Sequence, residues 1–113
     1  MKISVFLTRR SDLTHQEFIE YWTQNHTKLL GDLPPGEVQV ARYVQLQPTA
    51  DAIPGFATAT DDGVAELWVE SVEDAAKWFT SETYRTVVAA DEENFLDRSQ
   101  TRFLYANETV IFG

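Results

Sequence analysis

The spacing of apolar and polar positions along the chain predicts four β-strands. The first is rich in β-branched and aromatic residues, and the second places apolar side chains at every other position, both of which are typical of strands. The third and fourth are short apolar runs bounded by turn residues or polar segments. The predicted strands are Lys2–Thr8, Val38–Gln47, Val64–Glu70 and Arg102–Phe112.

Capping signals predict the helices between these strands. Thr14 followed by Glu17 is the capping-box pattern, and the helix it starts runs to about Leu30. We expect it to end at Gly31, because glycine tolerates the left-handed backbone of a helix C-terminus. Two short helices in tandem are predicted to follow the third strand, with starts at Ser71 and Ser81. Pro48–Gly63, with two prolines and two glycines, predicts a long loop.

This order of elements predicts an α+β fold of the ferredoxin-like type in a single domain, residues 1–113. In such a fold a four-stranded antiparallel sheet carries its helices on one face. The predicted strands also place apolar residues, such as Phe6 and Trp68, on the second face. A sheet open to water on one side alternates cleanly. The second face therefore predicts burial against another subunit in a two-fold homodimer.

Charge and composition narrow the classes of partner. Nine basic residues against eighteen acidic ones give a formal net charge of −9, which disfavours binding to nucleic acid or to anionic membranes. The chain has no cysteine, which excludes disulfides, thiolate nucleophiles and zinc–thiolate sites. The apolar run near the N-terminus is shorter than a membrane span or a signal-peptide core. We therefore expect a cytoplasmic protein.

His26 is the candidate with the most chemistry. Phe18, Trp22 and His26 follow each other at four-residue intervals in the first predicted helix, so the imidazole should point toward the sheet. One interpretation is a core histidine that a backbone carbonyl or a tyrosine satisfies. Another is a general acid or base, since imidazole titrates near neutral pH. An axial haem ligand is a third interpretation.

Four further residues are candidates, each with a simpler structural interpretation. Tyr43 lies within the second strand and either fills the core or an edge, or donates a phenol hydrogen bond. Glu66 and Trp68 share one face of the third strand, either a solvated edge or a site lining. Asp91 ends a helix in the run "ADEENFLD", either as a surface acid or as an orienting partner for an imidazole.

Several stretches of the chain resemble a known family. They are "FLTRRSDLTHQEFIEYWTQNHTKLL", "ARYVQ", "DGVAELWVES", "EDAAKWFTSETY" and "ADEENFLD". Together they resemble the EthD family of the dimeric α/β-barrel superfamily over roughly Val5 to Val110. The resemblance implies a ferredoxin-like subunit and a homodimer in which two such subunits form the barrel.

The resemblance also implies a site. In a related branch, the methylmuconolactone isomerases, a histidine in the first helix and a tyrosine in the second strand line the pocket. Their counterparts here are His26 and Tyr43. That branch has a cysteine in its third strand where this chain has Leu67. Fungal relatives resemble dehydratases that aromatise polyketide anthraquinone precursors.

From these residues and this resemblance we predict a cofactor-independent enzyme without a metal. Its substrate would be a small, hydrophobic, ring-containing oxygenated molecule of polyketide or lactone type. His26 would transfer the proton in a dehydration, cyclisation or isomerisation, Tyr43 would stabilise the oxyanion, and the long loop would form a lid. Two alternatives stay open, an accessory protein that binds a hydrophobic intermediate and a cofactor-free monooxygenase. The remaining predicted site residues are Trp22, Glu66, Trp68, Trp78, Asp91 and Phe95.

Overall fold

A computed structural model describes residues 1–34, 36 and 39–113 and shows the predicted four-stranded sheet. Its strands pair antiparallel in the order β2-β3-β1-β4, so the first and third strands lie in the centre. The predicted α+β architecture is confirmed. The strands are β1 (Lys2–Leu7), β2 (Arg42–Leu46), β3 (Gly63–Trp68) and β4 (Arg102–Ala106).

Helices follow β1 and β3, and two of them contain π-helical turns. Helix α1 (residues 15–31) is α-helical at His15–Glu20 and Thr27–Gly31 and π-helical at Tyr21–His26. Helix α2 is Val72–Phe79. Helix α3 (residues 82–92) contains a π-helical segment, Tyr84–Val88, followed by α-helical Ala89–Glu92, and a short 3₁₀ helix occupies Arg98–Gln100. No helix in the described part of the chain is long and apolar enough to cross a membrane.

The predicted helix starts are confirmed by their caps. Thr14 Oγ1 accepts a hydrogen bond from the backbone N of Glu17 at 3.1 Å, and the Glu17 carboxylate accepts one from the Thr14 backbone N at 2.9 Å. Ser71 caps α2, and Ser81 Oγ accepts from the backbone N of Tyr84 at 3.1 Å. Helix α1 ends at Gly31 as predicted. The expected left-handed backbone at the helix end is not seen, since Gly31 has no positive φ and the following Asp32 has φ −85°.

Two strands, β2 and β4, are much shorter than predicted, because the strands they pair with end. Arg42 pairs with Trp68, the last residue of β3, and β2 begins there, since residues 39–41 are not in a strand. The predicted start at Val38 lies outside the described residues. Ala106 pairs with Lys2, the first residue of β1, so β4 has nothing to pair with beyond that point. Residues 107–113 continue without regular structure, and Phe112 is 92% exposed.

The helices cover one face of the sheet, here called the inner face. Alternate residues of β1 and β3 point to it, and they pack against aromatic side chains from α1 and from the segment after α3. This contact is the hydrophobic core and defines the boundary between the two layers. Its main members are Ile3, Val5, Leu7, Ala65, Leu67, Phe18, Trp22 and Phe95.

The other face of the sheet, here called the outer face, mixes apolar and charged groups. Trp68 lies between Lys2 and Arg42 in register, and both cations lie over its ring, at 4.9 and 4.6 Å from the centroid. Lys2 also forms an ion pair with Glu66 at 2.8 Å. Leu104 remains 51% exposed on this face. Within the described chain the outer face therefore has no helix over it.

Gly63 provides the space for the ring of Trp22 at the layer boundary. A Cβ placed on Gly63 would lie 2.6 Å from Cζ3 of Trp22, so Trp22 would have to move. We expect Gly63→Ala to lower the free energy of unfolding by about 1–3 kcal/mol through overpacking, measured by urea denaturation. Gly31→Ala is the matched control, since nothing lies within 4 Å of a Cβ there. Equal stability losses in both variants would contradict this account.

Candidate functional site

A cavity of about 560 Å³ lies between the inner face of the sheet and the helices. Strands supply one wall and helices the other, so the layered fold itself creates the space. Most of the surrounding side chains are apolar or aromatic, and a few titratable groups stand among them. The lining includes Val5, Leu7, Trp22, Leu30, Ala65, Leu67, Trp78, Phe79, Val88, Phe95 and Phe103, with the polar residues His26, Tyr43, Tyr84, Glu92, Arg98 and Thr101.

His26 reaches this cavity from the end of the π-helical segment of α1. Phe18, Trp22 and His26 are all buried, as their four-residue spacing predicts. His26 is the one buried polar or charged side chain within the part of the chain described, and its ring lies 5.0 Å from that of Phe95. π-helical turns often occur at functional sites. The segment thus places a titratable ring against an apolar wall.

Asp91 orients this ring. The Nδ1 atom of His26 lies 2.7 Å from Oδ2 of Asp91, and the other carboxylate oxygen accepts hydrogen bonds from the Tyr21 hydroxyl at 2.6 Å and from Asn94 Nδ2 at 3.3 Å. An ionised carboxylate only accepts, so the hydrogen bond assigns the proton to Nδ1. Nε2, on the opposite edge of the ring, is then the atom that can accept a proton in the cavity.

These hydrogen-bond donors favour the ionised form of the Asp91 carboxyl group. Burial acts to raise the pKa of the Asp91 carboxyl, but the hydrogen bonds from Tyr21, His26 and Asn94 outweigh it. The pKa of Asp91 therefore lies below its ordinary value. An ionised Asp91 fixes the tautomer of His26 and stabilises the imidazolium that forms when Nε2 takes up a proton.

Tyr43 faces the cavity from the inner side of β2. Its hydroxyl accepts a hydrogen bond from Gln45 Nε2 at 3.1 Å, and the same amide donates to the backbone carbonyl of Trp22 at 3.3 Å. Burial raises the pKa of the Tyr43 phenol above its ordinary value. The phenol is therefore protonated at neutral pH, and its O–H is a donor for a ligand oxygen.

Glu92 and Tyr84 are polar lining residues that are not among the predicted site residues. The Tyr84 hydroxyl donates to Glu92 Oε1 at 2.6 Å. Burial raises the pKa of Glu92, and burial together with the charge of Glu92 raises that of Tyr84. The available signal was spacing: Tyr84, Val88 and Glu92 recur at four-residue intervals, as do the residues that lead to His26.

Arg98 and Thr101 mark one edge of the cavity. Arg98 is exposed, whereas Oγ1 of Thr101 is buried and has no hydrogen-bond partner among the residues described. A buried hydroxyl of this kind costs free energy unless something pairs with it. An oxygen or nitrogen of a bound molecule would satisfy it.

Of the predicted site residues, Trp22, Trp78 and Phe95 line the cavity together with His26 and Tyr43. Asp91 does not line it and acts on His26 from behind. The predicted placement of Glu66 and Trp68 in the site is corrected by the structure. Both point to the outer face, opposite Ser4 and Lys2 of β1. Alternation along β3 turns its even-numbered residues away from the helices.

The predicted lid is also absent from the cavity. No described residue between 48 and 62 lines it, and the apolar side chains of Ile53 and Phe56 are 71% and 74% exposed. The loop is fastened to the start of α1 through Asp62, which accepts hydrogen bonds from the Arg9 backbone N at 2.9 Å and pairs with His15 Nδ1 at 3.1 Å.

The antiparallel sheet, the helices on one face and the cavity between the layers define a ferredoxin-like α+β protein with an internal cavity. The match to the EthD domain extends over residues 10–99, and the chain belongs to this family. This confirms the family that the sequence motifs indicated. The chain has no match among curated proteins.

Solved structures with low sequence identity share the fold. An ethyl tert-butyl ether D (EthD) family protein from Bacillus halodurans is 12% identical, with a TM-score of 0.66 over 96% of this chain and 97% of its own. A dimeric protein of unknown function and ferredoxin-like fold from Bacteroides fragilis is 12% identical, with a TM-score of 0.62 over 91% and 90%. A hypothetical protein from Arabidopsis thaliana is 13% identical, with a TM-score of 0.61 over 98% and 90%.

Proposed function

We propose that this chain is a cofactor-independent enzyme that transfers protons on a small ring-containing ketone or related oxygenated molecule. The observation that carries the proposal is the His26–Asp91 pair, which presents an oriented imidazole nitrogen to an otherwise largely apolar cavity. The volume of about 560 Å³ falls within the range of small-molecule sites, roughly 300–1,000 Å³. The apolar walls favour a ring skeleton with few polar groups.

The chemistry follows from the positions of the two polar groups. His26 Nε2 removes a proton from a carbon next to a carbonyl, and the electron pair of that C–H bond moves to the carbonyl oxygen. Tyr43 donates a hydrogen bond to the developing enolate oxygen. Returning the proton to another carbon gives isomerisation, whereas expelling a hydroxyl from the β carbon gives dehydration. Attack of the enolate carbon on a second carbonyl gives cyclisation.

The alternative of a non-catalytic binding protein rests on the same cavity. Its mostly apolar lining is sufficient to hold a hydrophobic intermediate without converting it. Turnover separates the two functions. The bicyclic ketone β-tetralone, dissolved in D₂O, exchanges the protons beside its carbonyl when a base removes them. We expect the protein to accelerate this exchange, followed by NMR.

Binding of β-tetralone without accelerated exchange would overturn the enzymatic proposal and support the binding protein. Oxygen consumption is recorded in parallel with a quinol in place of the ketone. Consumption of oxygen with no exchange into β-tetralone would instead favour a monooxygenase of the kind found elsewhere in the superfamily that the sequence resembles.

We further propose that two copies of the chain associate through the outer face of the sheet. The apolar and half-buried side chains of this face support the association, and the fold neighbour from Bacteroides fragilis is described as dimeric. The exposed residues Leu46 and Leu104 would then be buried, which explains why the strands carry apolar side chains on both faces.

Leu104→Glu should convert the dimer to a monomer, because it places a charge on the outer face of β4 where an apolar side chain is 51% exposed. Sedimentation velocity measures the change in mass. Val72→Glu is the matched control, since Val72 is 44% exposed at the start of α2, away from the sheet face. A monomeric parent protein at micromolar concentration, or a dimeric Leu104→Glu variant, would rule out this interface.

A further inference from the structure

We propose that Glu92 is a second proton-carrying group of the cavity and delivers a proton to an oxygen of the bound molecule. The inference deepens the proposed function and rests on it, because Glu92 would act on the same molecule as His26. It restricts the substrate class to ring ketones with a hydroxyl on the carbon β to the carbonyl. It also restricts the reaction to dehydration.

The geometry around Glu92 supports a proton donor. Its side chain lines the cavity from the last turn of α3, and Tyr84 holds Oε1 through the hydrogen bond of 2.6 Å. Tyr84 is the single side chain bonded to this carboxyl group among the residues described. Oε2 is left to carry a proton, and a protonated carboxyl group can donate it to a ligand oxygen.

The protonation state is consistent with this role. Burial raises the pKa of Glu92, and the negative charge of the adjacent Asp91 raises it further. The Tyr84 hydrogen bond and the charges of His26 and Arg98 lower it. The net direction is upward. A carboxyl group with a raised pKa stays protonated at a higher pH than an exposed glutamic acid does, as a general acid requires.

The two groups together balance a dehydration. His26 takes the proton from the carbon next to the carbonyl, and the electron pair forms the new C=C bond as the C–O bond breaks. Glu92 gives its proton to the departing hydroxyl, which leaves as water. The protein is left with an imidazolium on His26 and a carboxylate on Glu92, and transfer of one proton between them restores the starting state. No oxidant or cofactor enters this balance.

The test compares two reactions of one ring skeleton. β-Tetralone has no leaving group, so its exchange in D₂O needs only the base. Its derivative with a hydroxyl on the carbon β to the carbonyl loses water and aromatises to fluorescent β-naphthol, so it needs the acid as well. We expect Glu92→Gln to slow the dehydration by about 100-fold and the exchange by less than about tenfold.

Two further variants and a pH profile complete the comparison. Glu93→Gln is the matched control, an identical change at the next residue, which is exposed. Glu92→Asp keeps the carboxyl group and should recover part of the dehydration rate. Parent dehydration should decline as pH rises through the raised pKa of Glu92, and that decline should be absent in Glu92→Gln. Equal slowing of exchange and dehydration, or parent rates of both, would overturn the role of Glu92.

A binding measurement distinguishes failure of this inference from failure of the proposed function. β-Methoxynaphthalene carries an ether oxygen that can only accept a hydrogen bond. Its affinity for the parent protein should fall by about tenfold as Glu92 ionises, and its affinity for Glu92→Gln should lack that step. If the parent protein shows this step but does not accelerate exchange, Glu92 is supported as a donor and the enzymatic proposal is overturned. Identical pH dependence in the two proteins overturns the donor.

Discussion

Replacing His26 by alanine should slow proton exchange into β-tetralone by about a hundred- to ten-thousand-fold, the range that a positioned acid or base contributes. The variant removes the imidazole nitrogen that the Asp91 hydrogen bond leaves for the cavity, while the apolar walls stay in place. Exchange is followed by NMR in D₂O. Affinity for β-methoxynaphthalene, measured separately, should change far less than the exchange rate.

The second histidine provides the matched control. His15 lies at the start of α1 and pairs with Asp62 at 3.1 Å, outside the cavity lining. His15→Ala should therefore keep the parent exchange rate. If His15→Ala and His26→Ala exchange β-tetralone equally fast, the imidazole of His26 is a satisfied core group and the acid/base mechanism is wrong.

Asp91→Asn should slow the same exchange by about a hundredfold, even though Asp91 does not line the cavity. The amide has nearly the same shape but no charge to stabilise the imidazolium of His26, and it can favour the wrong tautomer by donating to Nδ1. Loss of charge-assisted hydrogen bonds should also lower the free energy of unfolding by about 1.5–3 kcal/mol. The pH profile of exchange and urea denaturation measure the two effects.

The pH dependence of stability has a definite sign here. The folded-state pKa of Asp91 lies below its ordinary value, despite the opposing effect of burial, because of donors that include Tyr21 and His26. Its stabilising contribution is therefore complete above the unfolded pKa and is lost as pH falls through the folded one. Asp91→Asn should lose less stability than the parent does in that acidic range.

Two controls isolate the role of Asp91. Asp32→Asn makes the same change at an exposed position after α1 and should affect neither quantity. Tyr21→Phe removes one hydrogen bond to Asp91 without touching His26, so it should lower stability more than exchange. Parent-like exchange in Asp91→Asn would show that His26 needs no orienting carboxylate.

Local patterns predicted most of the fold because they depend on neighbouring residues. The Thr14–Glu17 capping box and the Ser71 cap involve residues three apart, and both are present. The ends of β2 and β4 depend instead on where β3 and β1 end. Apolar residues such as Ile111 fit a strand pattern, but in the described part of the chain no neighbouring strand pairs with them.

The candidate site was predictable where one helix determined it. Spacing within α1 placed His26 inward, and no long-range information was needed. Glu66 and Trp68 required knowledge of which face of β3 the helices cover, because alternation identifies two faces without ordering them. The Asp91–His26 contact joins residues 65 positions apart, so the sequence offered it only as one of two interpretations of Asp91. Glu92 shares the four-residue spacing of Tyr84 and Val88, but which side of that helix faces the cavity depends on the fold.

Gln45 links the strand wall and the helix wall of the cavity. Its single amide group bonds the Tyr43 hydroxyl on the strand wall and the Trp22 carbonyl on the helix wall, at 3.1 and 3.3 Å. The sheet and α1 are thus joined beside Tyr43, which lines the same cavity as His26. If Tyr43 and His26 act as proposed, much of the entropy of aligning them is therefore lost when the chain folds, and a bound ketone would have less of it left to lose.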